Sequence, residues 1–260
     1  MFKNIVVSVP MEQFPDLALK RAREFQETME SKITISYIIE DNVFDRVQEM
    51  SKHVLTEKDH EVWERKMTRT HDRMARRVLK KEVEKIMGDI PTEFIIQKGT
   101  YSDAISSTIE KVGADLLIME YRSYDLLKYR IMDRSPIPVW IERNEGPVNK
   151  IGLFCTNLAP NQKSPLAARS IQKALHARVE PYYIIDPAGK QDEEEPERIS
   201  TRNRIKWREV AKERVDSFIY RKAKENDLDL IILGRIRKRG YFHLRSRFAK
   251  KSRASVLLIN

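Results

Sequence analysis

The chain contains one cysteine, Cys155, in 260 residues. No internal disulfide can brace it, and a lone thiol suits a reducing compartment. Cys155 closes the run Ile151-Gly152-Leu153-Phe154, so it reads as a small core residue and not as a nucleophile. Glycine is scarce, with eight residues. Neither a Walker loop nor a Gly-x-Gly-x-x-Gly fingerprint occurs, which excludes two familiar backbone cradles for phosphate. No apolar stretch approaches the roughly 18 residues of a membrane span. Met1-Phe2-Lys3-Asn4 runs straight into Ile5-Val6-Val7 and not into a signal peptide, so the cytoplasm is the expected location. No Ser-His-Asp arrangement stands out. His60 and His71 share one helical stretch but lie about three turns apart, too far to chelate one ion. The chain is therefore read as a non-enzyme that requires no cofactor and holds no metal.

What the sequence has in abundance is charge. Lys and Arg total 49 against 39 Asp and Glu, a formal net charge of +10. That excess favours anionic partners, whether nucleotide, nucleic acid, phospholipid or acidic protein, without choosing among them. Hydrophobic residues make up 41% and charged residues 34%, which describes globular cores under a densely charged surface. The length suits two ordinary domains of about 100–150 residues.

Strand and helix signals alternate along the first half. Ile5-Val6-Val7-Ser8-Val9 is a β-branched run stopped by Pro10, and residues 16–30 carry Leu17, Ala18, Ala22, Phe25 and Met29 at helical spacing. Ile33 to Ile39 reads as a strand, and Thr56 to Met87 as one long helix with an apolar seam of Trp63, Met67, Met74 and Val78. Phe94-Ile95-Ile96 is a third strand ending at Gly99. Thr100 to Asp103 supplies caps for a helix carrying Ile105, Ile109 and Val112. Asp115-Leu116-Leu117-Ile118-Met119 is apolar enough for a strand covered on both faces, and Pro138-Val139-Trp140-Ile141 closes the module. Such alternation implies parallel pairing with right-handed crossovers.

After the linker Asn144-Glu145-Gly146-Pro147 the pattern restarts in shortened form. Lys150 to Cys155 repeats the first strand, Ser164 to Ala177 the first helix, and Pro181 to Ile185 the second strand. Residues 186–197, with Pro187, Gly189, Pro196 and the run Asp192-Glu193-Glu194-Glu195, read as a mobile surface loop, and 199–225 as one helix. Asp227-Leu228-Asp229-Leu230-Ile231-Ile232-Leu233 parallels Gly113-Ala114-Asp115-Leu116-Leu117-Ile118-Met119, and Ser255-Val256-Leu257-Leu258 parallels Pro138 to Ile141. No clear third strand is found in the second copy. The predicted domains are 1–143 and 150–260, joined by 144–149.

Together, the opening strand Ile5 to Val9, Lys98-Gly99 with its capped helix, Ala114 to Met119, Ser135 to Ile141, and in the second half Lys150 to Cys155, Asp229 to Gly234 and Ala254 to Ile259 resemble the universal stress protein family. The resemblance implies two tandem open α/β modules of Rossmann-like, adenine nucleotide alpha hydrolase-like type. Their strand order is 3-2-1-4-5, and they form an internal pair through their last strands. It also implies a ligand crevice at the switch point beyond the first and fourth strands, lined by Pro10 and Glu120 in one half and by Thr156 and Gly234 in the other.

The nucleotide-binding branch of that family has an Asp after the first strand and spaced glycines after the fourth, where backbone N–H groups close on phosphate. Here Pro10 and Thr156 replace the Asp. Ser123, Asp133 and Arg134 occupy the motif positions in the first half, and Arg237, Arg247 and Phe248 in the second, leaving Gly234 alone. The second half is the better candidate for an anionic ligand such as ATP or AMP, held by Thr156, Gly234, Arg235, Arg237, Lys238, Arg239 and Arg247. From 235 to 253 there are nine cations and no carboxylate. That stretch reads three ways: a solvated face, a small-anion or nucleotide site, or, with Tyr241 and Phe242 interleaved, a nucleic-acid or anionic-surface binder. The functional expectation is a cytoplasmic binding and regulatory protein of stress-response type with weak or lost ATP binding. Its alternative is a nucleic-acid or anionic-surface binder through 235–253. A homodimer is open.

Overall fold

The computed structural model describes residues 2–10, 14–41, 45, 49–50, 56–120, 131, 135–190, 195–236 and 253–259. Two compact units divide the chain, one built on Phe2–Met119 and the other on Met132–Asn260.

The first unit contains β1 (Asn4–Pro10), α1 (Asp16–Met29), β2 (Lys32–Glu40), α2 (Glu57–Met74), a π turn (Ala75–Leu79), α3 (Lys80–Met87), β3 (Thr92–Gly99), α4 (Tyr101–Val112) and β4 (Leu116–Glu120). Its strands lie in the order β3-β2-β1-β4, all parallel. Both faces of the sheet are covered, and Ile5, Val6, Val7, Ile35, Leu116, Leu117 and Ile118 are fully buried. Continuous apolar runs are what such a sheet demands. The cap read from the sequence forms as expected, Thr100 Oγ1 accepting the Asp103 N–H, and Thr56 with Asp59 adds a reciprocal capping box on α2.

The helical stretch 57–87 departs from the expected seam. Trp63 and Met67 are half-buried, but Met74 and Val78 are exposed, and the buried residues are His60, Ala75, Val83 and Met87. In an α-helix four residues turn about 400°, so a stripe repeating every four residues drifts by about 40° per step. The π turn, in which the Lys80 N–H bonds to the Ala75 carbonyl, offsets that drift ahead of the buried Val83 and Met87, whose helix packs against α1.

The second unit contains β5 (Val139–Glu142), β6 (Lys150–Thr156), α5 (Ser164–Leu175), β7 (Arg178–Ile184), α6 (Glu195–Asn203), β8 (Glu209–Ala211), α7 (Val215–Glu225), β9 (Leu230–Gly234) and β10 (Ser255–Ile259). The strand order is β8-β7-β6-β9-β10-β5, parallel except that β5 and β10 are antiparallel. The buried carboxylate of Glu142 holds that antiparallel pair together. It accepts hydrogen bonds from Trp140 Nε1 (3.0 Å), the Arg143 and Asn144 N–H groups, and the Ser255 hydroxyl.

Two features of the second half differ from expectation. A third strand is present: Glu209, Val210 and Ala211 pair with Tyr182, Tyr183 and Ile184. It escapes notice because it is three residues long and Val210, its one bulky apolar side chain, is exposed. Residues 199–225 are accordingly not one helix. Arg204 takes φ 52°, and Trp207 folds back so that its indole N–H reaches the Pro196 carbonyl (2.8 Å) and its ring meets Tyr183. The stretch from 186 also differs from a mobile loop. Asp186 is fully buried, its carboxylate accepting the N–H of Ala188 and of Val215 at the start of α7, and Glu195 opens α6. The rest of the acidic run, 192–194, lies outside the described residues.

The two copies use one device at corresponding places. Asp115 accepts the backbone N–H groups of Lys3 and Asn4, and Asp229 accepts those of Asn149 and Lys150. In each case a carboxylate before the fourth strand fixes the start of the first.

Candidate functional site

The Thr156 and Gly234 sites end neighbouring strands, β6 and β9, which run in parallel with Phe154 opposite Leu233. Arg235 comes directly after, its N–H donating to the Ile259 carbonyl. The structure therefore brings Thr156, Gly234 and Arg235 to one end of the sheet, the end at which open α/β folds take ligands. Arg237, Lys238, Arg239 and Arg247 lie outside the described residues.

The turn after β6 decides what this end of the sheet can do. Asn157-Leu158-Ala159-Pro160-Asn161 folds back over the strand. Asn161 Oδ1 accepts the Thr156 N–H (3.0 Å), and Asn161 Nδ2 donates to the Thr156 carbonyl (2.9 Å). The Thr156 hydroxyl donates to Asn157 Oδ1 and accepts the Leu158 N–H, both at 3.3 Å. Asn157 in turn holds the Asp186 N–H and carbonyl and the Lys190 carbonyl. Thr156 is wholly buried, and its polar groups are engaged within the protein.

Gly234 has a matching reason to be glycine. A Cβ at that position would lie 2.9 Å from the Pro160 carbonyl oxygen and 3.2 Å from the Ala159 Cβ. The turn thus lies directly against Gly234, where so close a backbone approach leaves no room for a side chain. Beside it, Ser164 begins α5 fully buried, and its hydroxyl has no hydrogen-bond partner among the described residues.

Sequence reasoning missed the residues that make this roof. Asn157, Asn161 and Asp186 sit in stretches that carry no periodic signal, and only Asn-Leu-Ala-Pro-Asn, with polar groups flanking a proline, hints at a turn. Glu195 joins them through Asn161 Nδ2 (3.3 Å). Cys155, two residues before the start of the roof, is fully buried, and burial pushes its thiol well above the usual range, with Glu195 adding to the shift. At the opposite ends of the strands a cavity of about 350 Å³ is lined by Tyr220, Leu228, Ile231 and Arg253.

In the first unit β1 ends at the half-buried Pro10, and Tyr101 at the start of α4 donates to Ser8 Oγ (2.8 Å). His71 Nδ1 lies 3.4 Å from the Tyr37 hydroxyl, and among the described residues no group of His, Cys, Asp and Glu is placed to hold a metal ion. No helix among the described residues is long and apolar enough to cross a membrane.

Comparison with solved structures agrees with this architecture. A universal stress protein of Archaeoglobus fulgidus matches with TM-score 0.68 at 14% identity, over 98% of this chain and 96% of its own. A protein of Pseudomonas aeruginosa UCBPP-PA14 assigned to the universal stress proteins matches at 0.61 and 14%, over 99% and 93%. A functionally unknown protein of Pseudomonas aeruginosa PAO1 matches at 0.59 and 14%, over 99% and 92%. No family model matches the sequence, and no curated protein does. The chain has the α/β fold of universal stress proteins along its full length.

Proposed function

We propose that this chain is a binding and regulatory protein, not an enzyme, and that its second-unit nucleotide crevice has been closed by its own Ala159–Pro160 turn. One observation carries the reading: the Pro160 carbonyl oxygen sits 2.9 Å from where a Gly234 Cβ would be, while Asn161 and Asn157 take up the polar groups of Thr156. A nucleotide entering there must displace a hydrogen-bonded turn and leave buried groups unpaired, at about 1–3 kcal/mol for each. The same residues argue against acid–base catalysis at this end of the sheet, since the engaged side chains of Thr156, Asn157 and Asn161 include no titrating acid or base. The regulatory role, the cytoplasmic location and a part in stress responses belong to the same reading, supported by the fold, the lone buried thiol and the absence of a phosphate loop from the sequence.

Isothermal titration of the purified chain with ATP and with AMP tests it. The expected result is no saturable binding that responds to substitution at Thr156 or Asn161. Micromolar ATP binding by the parent chain that a Thr156→Ala or Asn161→Ala change abolishes would place a nucleotide in the crevice and overturn the proposal.

A further inference from the structure

A second site has the opposite character, open and cationic. Between the helical stretch 57–87 and the sheet edge lies a groove of about 590 Å³, floored by Ile39 of β2 and Ile96 of β3. Arg69, Arg73, Arg76 and Arg77 line its helical wall, and Lys98 stands on the strand side. Two of these cations are neutralised: Arg76 Nε pairs with Asp72 (2.9 Å), and Lys98 pairs with Glu64 and Asp41. Arg69, Arg73 and Arg77 have no carboxylate within ion-pair distance among the described residues, and all three are exposed.

Their arrangement is regular. Each is four residues from the next, which on a helix is about 6 Å of rise. Four-residue spacing would ordinarily wind out of line by about 40° per step, but Arg77 falls inside the π turn that absorbs the drift. Three guanidinium groups without a carboxylate partner among the described residues thus line one wall of the groove.

We infer that this groove binds the phosphodiester backbone of a short single-stranded stretch of nucleic acid, one Arg to each of three successive phosphates. Guanidinium forks match phosphate with two parallel hydrogen bonds, and all three free cations are Arg, not Lys. A step of about 6 Å along the helix is close to the separation of neighbouring phosphates on an unstacked strand. Ile96, partly exposed, offers an apolar surface for sugar or base, and the contacts that hold the strand go to its phosphates, so recognition is independent of sequence. An acidic peptide fits the charge, but it brings backbone amides that these side chains leave unpaired. The groove lies in the first unit and stands apart from the crevice at Thr156.

Fluorescence anisotropy of the full chain with labelled oligothymidylate tests the inference, with a 5′-phosphorylated thymidine dinucleotide as competitor to separate a free dinucleotide from a strand as the source of the phosphates. Single strands give a log–log salt slope of about 0.7 per phosphate, so three contacts give about 2, or roughly a 20-fold loss of affinity between 50 and 200 mM salt. The variant Arg69→Gln/Arg73→Gln/Arg77→Gln should lose that slope, whereas Arg237→Gln/Lys238→Gln/Arg239→Gln should keep it. Should the triple variant fold poorly by circular dichroism, Arg73→Gln alone is expected to lower the slope by about 0.7. Binding of the strand without competition by an equimolar dinucleotide supports the inference, and equal competition by the dinucleotide overturns it in favour of a small ligand. Failure of the strand to bind, a slope unchanged by the groove variants, loss of binding in the 237–239 variant alone, or equal competition by polyglutamate also overturns the assignment.

Discussion

Replacing Gly234 with alanine asks whether the turn after β6 is seated on β9. The added methyl group comes 2.9 Å from the Pro160 carbonyl oxygen and 3.2 Å from the Ala159 Cβ, and the nearest atom is backbone, not the tip of a flexible side chain. Relief requires moving a turn that Asn161 ties to Thr156 through two hydrogen bonds. Overpacking of this kind costs about 1–3 kcal/mol. Against it, alanine restricts the unfolded chain and stabilises by about 0.4–1 kcal/mol where the backbone permits. Gly234 is not among the residues with positive φ, so that gain applies. The difference leaves a net destabilisation on the order of 1 kcal/mol, a fall in melting temperature of about 2–4 °C for a chain of this size. Thermal melts followed by circular dichroism measure it. Gly146→Ala serves as control, because its nearest contact is the side-chain end of Asn144 at 3.4 Å. A Gly234→Ala protein melting at or above the parent temperature would refute the seated turn, and with it the closed crevice.

Three further outcomes concern buried or paired side chains elsewhere in the second unit. Glu142→Ala strips the buried acceptor from Trp140, Arg143, Asn144 and Ser255, and should cost about 2–4 kcal/mol in urea unfolding, while Glu142→Gln, which keeps one acceptor, should cost less. Cys155 should resist a disulfide-exchange reagent at neutral pH and react only as the chain unfolds, since burial raises its thiol; stoichiometric labelling of the native protein would contradict this. The Arg214 guanidinium beside Asp216 holds that carboxyl below its ordinary value. The stability it lends is present above the ordinary Asp range near about pH 4 and disappears as pH falls through the lowered folded value. Asp216→Asn should therefore flatten the acid limb of the urea midpoint and leave its slope near neutrality unchanged.

How much of the fold is legible in the sequence depends on whether a signal is local. Ile5 to Val9, Leu116 to Met119 and Leu230 to Leu233 announce themselves because a strand buried on both faces admits only apolar side chains, and the match between the two halves has the same origin. Thr100 reads as a cap because capping chemistry lies within three residues. The third strand of the second half is not legible, since Glu209-Val210-Ala211 has no pattern of its own and exists only by pairing with Tyr182 to Ile184. The seam of the long helix misleads for a related reason. Met74 and Val78 have the right spacing for a buried seam, yet both are exposed, and the buried side is set instead by His60, Ala75, Val83 and Met87, with a π turn at Ala75–Leu79.

The candidate site divides along the same line. Residue types give Thr156 and Gly234 as ends of the first and fourth strands and the surplus of cations, and the resemblance to the universal stress protein family adds the loss of the glycine-spaced phosphate motif, because each of these is a statement about which side chains are present. Tertiary structure decides what those residues do. Gly234 lies against a turn, since Pro160, distant in sequence, folds onto it. Arg69, Arg73 and Arg77 line one wall of a groove that Ile39 and Ile96 also line. Composition sets the sign of the charge; only the packing of helix on sheet determines where that charge is left without a partner.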